Sequence, residues 1–319
     1  RQSLDEIAFR PRVLNDVSSI DTSSTFLGKK YRLPVVLGPI GSAEQLHTEG
    51  MLPAAKAAAE FGIGVFKSSV AIPDIEEAAE KSNAQLIFQL YVRGDEDWIN
   101  QHVDRVEAAG YAGFCLTVDS AKYGRRERDK VKNFTPARRS QVSGVNYQSA
   151  LNWDVVKRLR KKTKLPLVIK GIATAEDAVI AVDHGIDIIY ISNHGGRQLD
   201  YGRGSIEVLP EVVDAVGEKT TIIVDGGFYR GTDILKAIAL GANAVGLGRL
   251  YGFGLAAFGQ AGVKRTLEIL EEEMLSAMAL LGITTLAELS KDYVHPAKPV
   301  RAASLTSAFH LFDVDDGPY

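Results

Sequence analysis

The sequence is short of cysteine, of charge imbalance and of long apolar runs, and each shortage removes a class of protein. Cys115 is the single cysteine in 319 residues, which excludes an internal disulfide and a cysteine-based metal cluster. It stands in Phe114-Cys-Leu-Thr117, an apolar stretch, and reads as a small core residue rather than a nucleophile. Lys plus Arg number 37 against 40 for Asp plus Glu, a net charge of −3, so there is no basic footprint for nucleic acid. No run of about 18 apolar residues offers a membrane span, and no signal-peptide core opens the chain. Acidic residues and histidines nowhere take metal-ligand spacing, and no strand leads into a Gly-x-Gly-x-x-Gly turn. The last residues, Asp-Gly-Pro-Tyr319, are not a peroxisomal address, and the cytoplasm is the expected compartment.

What is present is a soluble-protein composition, 45% hydrophobic and 24% charged, laid out with a regular beat. Apolar runs at 34–38, 64–66, 85–91, 113–118, 167–169, 188–191, 221–224 and 244–247 predict strands. Amphipathic stretches between them, such as Leu52–Phe61, Asp97–Ala109, Ala175–His184 and Thr232–Leu240, predict helices. Eight strands alternating with helices predict an α/β fold with one parallel sheet, closed as a (β/α)8 barrel in a single domain, 1–319. Residues 1–32 read as a polar lead-in and 290–319 as a tail. The segment 121–152 is long, opens with Lys122, Arg125, Arg126, Arg128, Lys130 and Lys132, and reads as a lid over the active site. His47, His102 and His184 fall in loops or helices and are expected at the surface.

A closed parallel barrel gathers the C-terminal ends of its strands on one face. In order these ends are Gly38-Pro39-Ile40-Gly41, Ser68-Ser69, Gln89 with Tyr91, Thr117 with Asp119, Lys170-Gly171, Ser192-Asn193-His194, Asp225-Gly226-Gly227 and Gly248-Arg249. Turn chemistry explains Ser, Asp and Gly one at a time. A Lys, a His and an Arg at such ends are costly unless used. Glycine-rich turns after the seventh and eighth strands are where such barrels hold phosphate, and Arg249 adds a bidentate contact. A flavin mononucleotide placed there would carry its ring across the barrel mouth. Lys170 would then meet the charge that builds on the ring, and His194 would take a proton, oriented by Asp119. Arg126 and Arg197 would clamp a carboxylate.

These residues resemble the FMN-dependent L-2-hydroxy acid oxidase and dehydrogenase family, which includes glycolate oxidase, lactate oxidase and mandelate dehydrogenase. The similar pieces run from Phe9-Arg-Pro-Arg12 to about Leu289: Phe-Gln-Leu-Tyr91, Leu-Thr-Val-Asp119, Gly-Arg-Arg126, Val-Ile-Lys-Gly171, Ser-Asn-His-Gly-Gly-Arg-Gln-Leu-Asp200, Asp-Gly-Gly227 and Gly-Leu-Gly-Arg249. The resemblance implies FMN, and oxidation of an L-2-hydroxy acid to a 2-oxo acid with flavin N5 as hydride acceptor and oxygen or another acceptor downstream. It implies His194 as base, Asp119 as its partner, Arg126 and Arg197 on the substrate carboxylate, and Tyr91 hydrogen-bonding to substrate. Lys170 is implied near flavin N1 and O2. Pro39, Ile40, Gly41, Ser68, Gln89, Thr117 and Ser192 are implied at the ring, Asp225 at the ribityl chain, and Gly226, Gly227, Gly248 and Arg249 at the phosphate. A homo-oligomer, commonly a tetramer, is implied too.

The chain departs from the family pattern in four places. Tyr229 stands where a phosphate-contacting Arg is usual, Ile40-Gly41 where Thr-Ala is common, and Val70 where glycolate oxidases carry a bulky aromatic. The N-terminal Tyr that many members place on the substrate carboxylate would precede Arg1. An FMN barrel acting on a peptide or phenolic hydroxy acid, an isomerase-like barrel, and a flavin-binding protein of decayed activity are the alternatives.

Overall fold

A computed structural model describes residues 1–134 and 146–298. The eight expected strands are β1 (Val35–Leu37), β2 (Gly64–Ser68), β3 (Gln85–Leu90), β4 (Gly113–Thr117), β5 (Leu167–Ile172), β6 (Ile188–Ile191), β7 (Thr221–Asp225) and β8 (Ala244–Leu247). Each precedes a helix: α1 (Leu52–Phe61), α2 (Ile75–Ser82), α3 (Glu96–Ala108), α4 (Trp153–Lys162), α5 (Ala175–Asp183), α6 (Ser205–Val216), α7 (Gly231–Ala239) and α8 (Arg249–Leu281). The strands pair in parallel in the order β7-β8-β1-β2-β3-β4-β5-β6, and β6 returns to β7. The sheet therefore closes into a (β/α)8 barrel. Val, Ile and Leu dominate these strands because one face fills the barrel interior and the other meets the helices.

Local chemistry sets the helix starts. Asp74, Asp95, Asn152 and Thr174 each turn a side-chain oxygen onto an amide of the first turn of α2, α3, α4 and α5. The last helix, α8, is 33 residues long, and in it Phe258 and Gly259 leave helical geometry and divide it in two. Backbone rather than apolar spacing dictates that break, which is why a hydrophobic pattern does not announce it. β2 also runs two residues past its apolar run. Lys67 is fully buried in it, with Nζ donating to the carbonyls of Ser68 and Ala71 at 2.8 Å each. A satisfied ammonium is tolerated where a bare one is not.

The later part of the lead-in covers the barrel floor. A hairpin of Ser24–Phe26 and Lys29–Tyr31 buries Tyr31 against Gly64, and Leu27 O accepts from Gln85 Nε2 at 3.3 Å. Ile7–Phe9 pairs antiparallel with Val294–Pro296, so the start of the expected tail straps onto the lead-in. The rest of that tail, 299–319, and residues 135–145 of the expected lid lie outside the described residues. Around 135–145 the chain is held down: Glu127–Val131 is a short helix, and Gln148 bridges Val92 N at 2.7 Å and Thr117 O at 2.6 Å. His47, His102 and His184 correct the surface expectation, all three being half-buried. The ring centroid of His102 lies 3.9 Å from that of Trp98, with Nδ1 donating to Trp98 O, and that of His184 lies 5.1 Å from that of Trp153. Among the described residues no helix is long and apolar enough to cross a membrane.

Candidate active site

Lys170 is the buried cation of the barrel mouth. Its Nζ donates to Ser192 Oγ at 2.6 Å, lies 3.2 Å from Asp225 Oδ2, and sits 4.8 Å from the centroid of the Tyr190 ring. Burial alone would lower the pKa of this ammonium. The carboxylates of Asp225 and Asp119 outweigh burial and raise it, so the charge persists inside the protein. Just after Lys170 the β5–β6 ladder slips at Gly171, a bulge of φ +112°. A Cβ there would meet Asp119 Cβ at 2.6 Å, so only glycine lets β5 pass this close to the carboxylate.

That closeness serves the imidazole. His194 Nδ1 lies 3.0 and 3.1 Å from the two oxygens of Asp119, and Nε2 lies 3.1 Å from Tyr91 Oη. A carboxylate only accepts, so Nδ1 carries the proton and Nε2 presents a lone pair. His194 adopts φ +57°, left-handed for a residue with a side chain, and its amide is fixed by Ser192 Oγ at 3.1 Å. Such backbone costs about 1–3 kcal/mol and persists where its surroundings over-determine it. Burial, and then the charge of Asp119, push the Tyr91 phenol above its ordinary pKa. Tyr91 therefore remains a donor.

Arg126 is half-buried and stacks on Tyr123, its Cζ 3.9 Å from the ring centroid, while Nη1 donates to Tyr123 Oη. Its Nε has no hydrogen-bond partner among the described residues. Burial, followed by the charge of Arg197, lowers its pKa. A half-buried guanidinium with an unmet donor, within electrostatic reach of Arg197, is suited to an anion.

The remaining polar ends fit a flavin mononucleotide. Gln89 and Thr117 are fully buried and joined at 2.8 Å, which leaves Gln89 Oε1 without a partner among the described residues, matched to an imide N–H. Asp225 Oδ1 is likewise unmet and suits a ribityl hydroxyl. Beyond it a cavity of about 380 Å3 is lined by Asn193, Ser205, Gly226, Gly227, Tyr229 and Arg249, and Arg249 Nη2 donates to Gly195 O at 3.0 Å. Gly248 has open space around it. Ser68 is buried, its Oγ accepting from Val70 N at 3.3 Å. The β1 turn contributes backbone more than side chain, because Ile40 is turned onto Gly252 of α8 and Gly41 lies against Val70.

Three residues to which the sequence reading gave no role belong here. Tyr123 carries Arg126, and Asn193 Oδ1 accepts from Gly196 N at 3.2 Å to shape the turn after His194. Arg1 reaches Gly227 O and Asp233 at the cavity edge. The first two contacts are between residues three apart; sequence spacing carries no trace of those made by Arg1, which span 226 and 232 residues.

The model of the FMN-dependent dehydrogenase family matches residues 1–296. The chain is 39% identical over 322 residues to an L-lactate oxidase of Nostoc sp., covering 92% of this chain and 88% of that one. It is 41% identical over 312 residues to a peroxisomal (S)-2-hydroxyacid oxidase of Arabidopsis thaliana, covering 92% and 86%. Among solved structures it is similar to a soluble mutant of the membrane-associated (S)-mandelate dehydrogenase from Pseudomonas putida, with a TM-score of 0.84, 35% identity, and coverage of 92% and 88%. A mandelate oxidase bound to 3,3-difluoro-2-hydroxy-3-phenylpropionic acid gives a TM-score of 0.86 at 38% identity, with the same coverage.

Proposed function

The chain belongs to the FMN-dependent dehydrogenase family and catalyses FMN-dependent oxidation of a 2-hydroxy acid; we propose that His194 is its base and Arg126 and Arg197 its carboxylate clamp. The observation that carries this reading is one cluster around Tyr91: an imidazole with Nδ1 committed to Asp119 and Nε2 against the Tyr91 hydroxyl, and a half-buried guanidinium, with an N–H unmet among the described residues, whose charge is felt by the same Tyr91. The arginines hold the substrate carboxylate in a fixed, planar geometry. His194 Nε2 then receives the hydroxyl proton, and Asp119 stabilises the imidazolium that forms. Tyr91, kept protonated, donates to the substrate oxygen. FMN, when bound, would supply the acceptor for the two electrons leaving the substrate carbon, with oxygen or another acceptor downstream. Lys170 would offer it a fixed positive charge, and Gln89, Thr117, Ser192 and Asp225 would hold it. A cytoplasmic homo-oligomer, a tetramer by the same resemblance, is part of the proposal.

Val70, against Gly41 at the mouth, points to a substrate side chain larger than hydrogen. L-2-Hydroxy acids carrying a methyl or larger group are expected to exceed glycolate in kcat/KM by about tenfold or more, each released as its 2-oxo acid. Steady-state assays with product trapping test this, and no 2-oxo acid from any member of such a panel would overturn the function. At the phosphate end Tyr229 lines the cavity where the family pattern has an Arg. Tyr229→Arg is expected to tighten FMN binding about tenfold, one charge-assisted hydrogen bond's worth. Quenching of FMN fluorescence on titration with apoprotein measures it, and an unchanged Kd would mean that another group already fills that place.

A further inference from the structure

We propose that Gln198 is a positioning residue that splices the loop of Asp119 and Arg126 to the loop of His194 and Arg197, so that base, orienting carboxylate and guanidinium pair are held as one unit. This rests on the roles proposed above for those four residues. The side-chain amide of Gln198 spans both sides of the junction: Oε1 accepts from Gly124 N at 3.0 Å, and Nε2 donates to Asp119 O at 2.9 Å. The sheet ladder gives out just before, where Val118 N donates to Lys170 O at 2.9 Å. From Asp119 onward the loop has lost its strand partner, and the backbone groups of 119 and 124 find theirs in one side chain from the neighbouring loop.

Two further observations converge on the same junction. A Cβ on Gly124 would lie 2.8 Å from Gln198 Cα and closer still to Arg197 O. Close approach of two backbones, rather than a left-handed φ, demands glycine there. The second is the set of the side chain itself. Arg197 and Leu199 on either side are exposed, Leu199 to 81%, while Gln198 turns inward. Arg126 follows Gly124 by two residues and Arg197 precedes Gln198 by one, so contact at this point sets how far apart the two guanidiniums stand. The same contact fixes Asp119 relative to His194, which share no element.

Displacement of about 1 Å in such a constellation costs roughly 100-fold in rate. In the holoenzyme, Gln198→Met keeps the side chain's bulk and removes both hydrogen bonds. It is expected to lower kcat/KM for the best L-2-hydroxy acid by about 10- to 100-fold. KM and the Kd for oxalate, a carboxylate that cannot be oxidised, are expected to rise together, with FMN content and Tm as in the parent. Hydrogen exchange at the Gly124 amide is expected to accelerate, a readout that needs neither flavin nor turnover. Parent-like kcat/KM with unchanged Gly124 exchange overturns the splice. So does a fall in FMN content or Tm large enough to account for the lost turnover, which would make Gln198 merely structural. An active His194→Gln enzyme overturns instead the reading on which the splice rests, so the two failures are told apart.

Discussion

Replacing His194 with Gln is expected to leave a folded, yellow protein whose flavin is reduced by substrate about 100- to 10,000-fold more slowly. The size follows from what is lost. Nε2 presents its lone pair because Asp119 holds the proton on Nδ1, at 3.0 and 3.1 Å from its two oxygens. Gln offers no proton acceptor of comparable basicity, so the hydroxyl proton has nowhere to go as the electrons leave. The backbone complicates the test, since His194 sits at φ +57°. His194→Asn, which tolerates left-handed geometry better, separates strain from loss of the base. Both variants are expected to be slow, and a stopped-flow trace showing either at near-parent speed would take His194 out of its role.

The second large effect is expected at Lys170. Lys170→Met removes a buried ammonium that donates to Ser192 at 2.6 Å and stands 3.2 Å from Asp225. Breaking one side of such a pair costs about 3–5 kcal/mol, because the other charge is left in place without compensation. The apoprotein is expected to unfold at correspondingly lower denaturant, and FMN to be lost. Adding Asp225→Asn is expected to recover part of the stability without recovering the flavin, since the cation facing the ring is still missing. The dependence on pH has a definite sign. The folded pKa of Lys170 is raised, so its contribution is fully present below its unfolded value of about 10.4 and is lost only as pH rises through the higher folded value. An apo Lys170→Met protein as stable as the parent would show that the pair contributes nothing net.

Much of the barrel was legible because its strands are short aliphatic runs whose limits coincide with their chemistry. Ile188–Ile191 and Ala244–Leu247 begin and end where the apolar residues do. β2 ran past its apolar run because the carbonyls of Ser68 and Ala71 absorb the charge of Lys67, a tertiary fact. The extent of α8 was hidden for the opposite reason: glycines within Arg249–Leu281 dilute the helical pattern, and the break at Phe258–Gly259 interrupts it. In the site, residues that terminate strands could be placed from order alone, which is how His194, Asp119 and Lys170 were read together. Residues acting between loops could not. Gly171 against Asp119 and Gln198 across to Gly124 depend on backbones that meet only after the barrel closes.

The most direct measurement is anaerobic mixing of the yellow holoenzyme with an L-2-hydroxy acid and, separately, with the matching 2-hydroxy amide, following flavin absorbance. Complete bleaching by the acid, and bleaching slower by about 100-fold or more with the amide that leaves the two guanidiniums without a carboxylate, is the expected result. A flavin that stays oxidised with every acid tried, or one that the amide bleaches as fast as the acid, would contradict it.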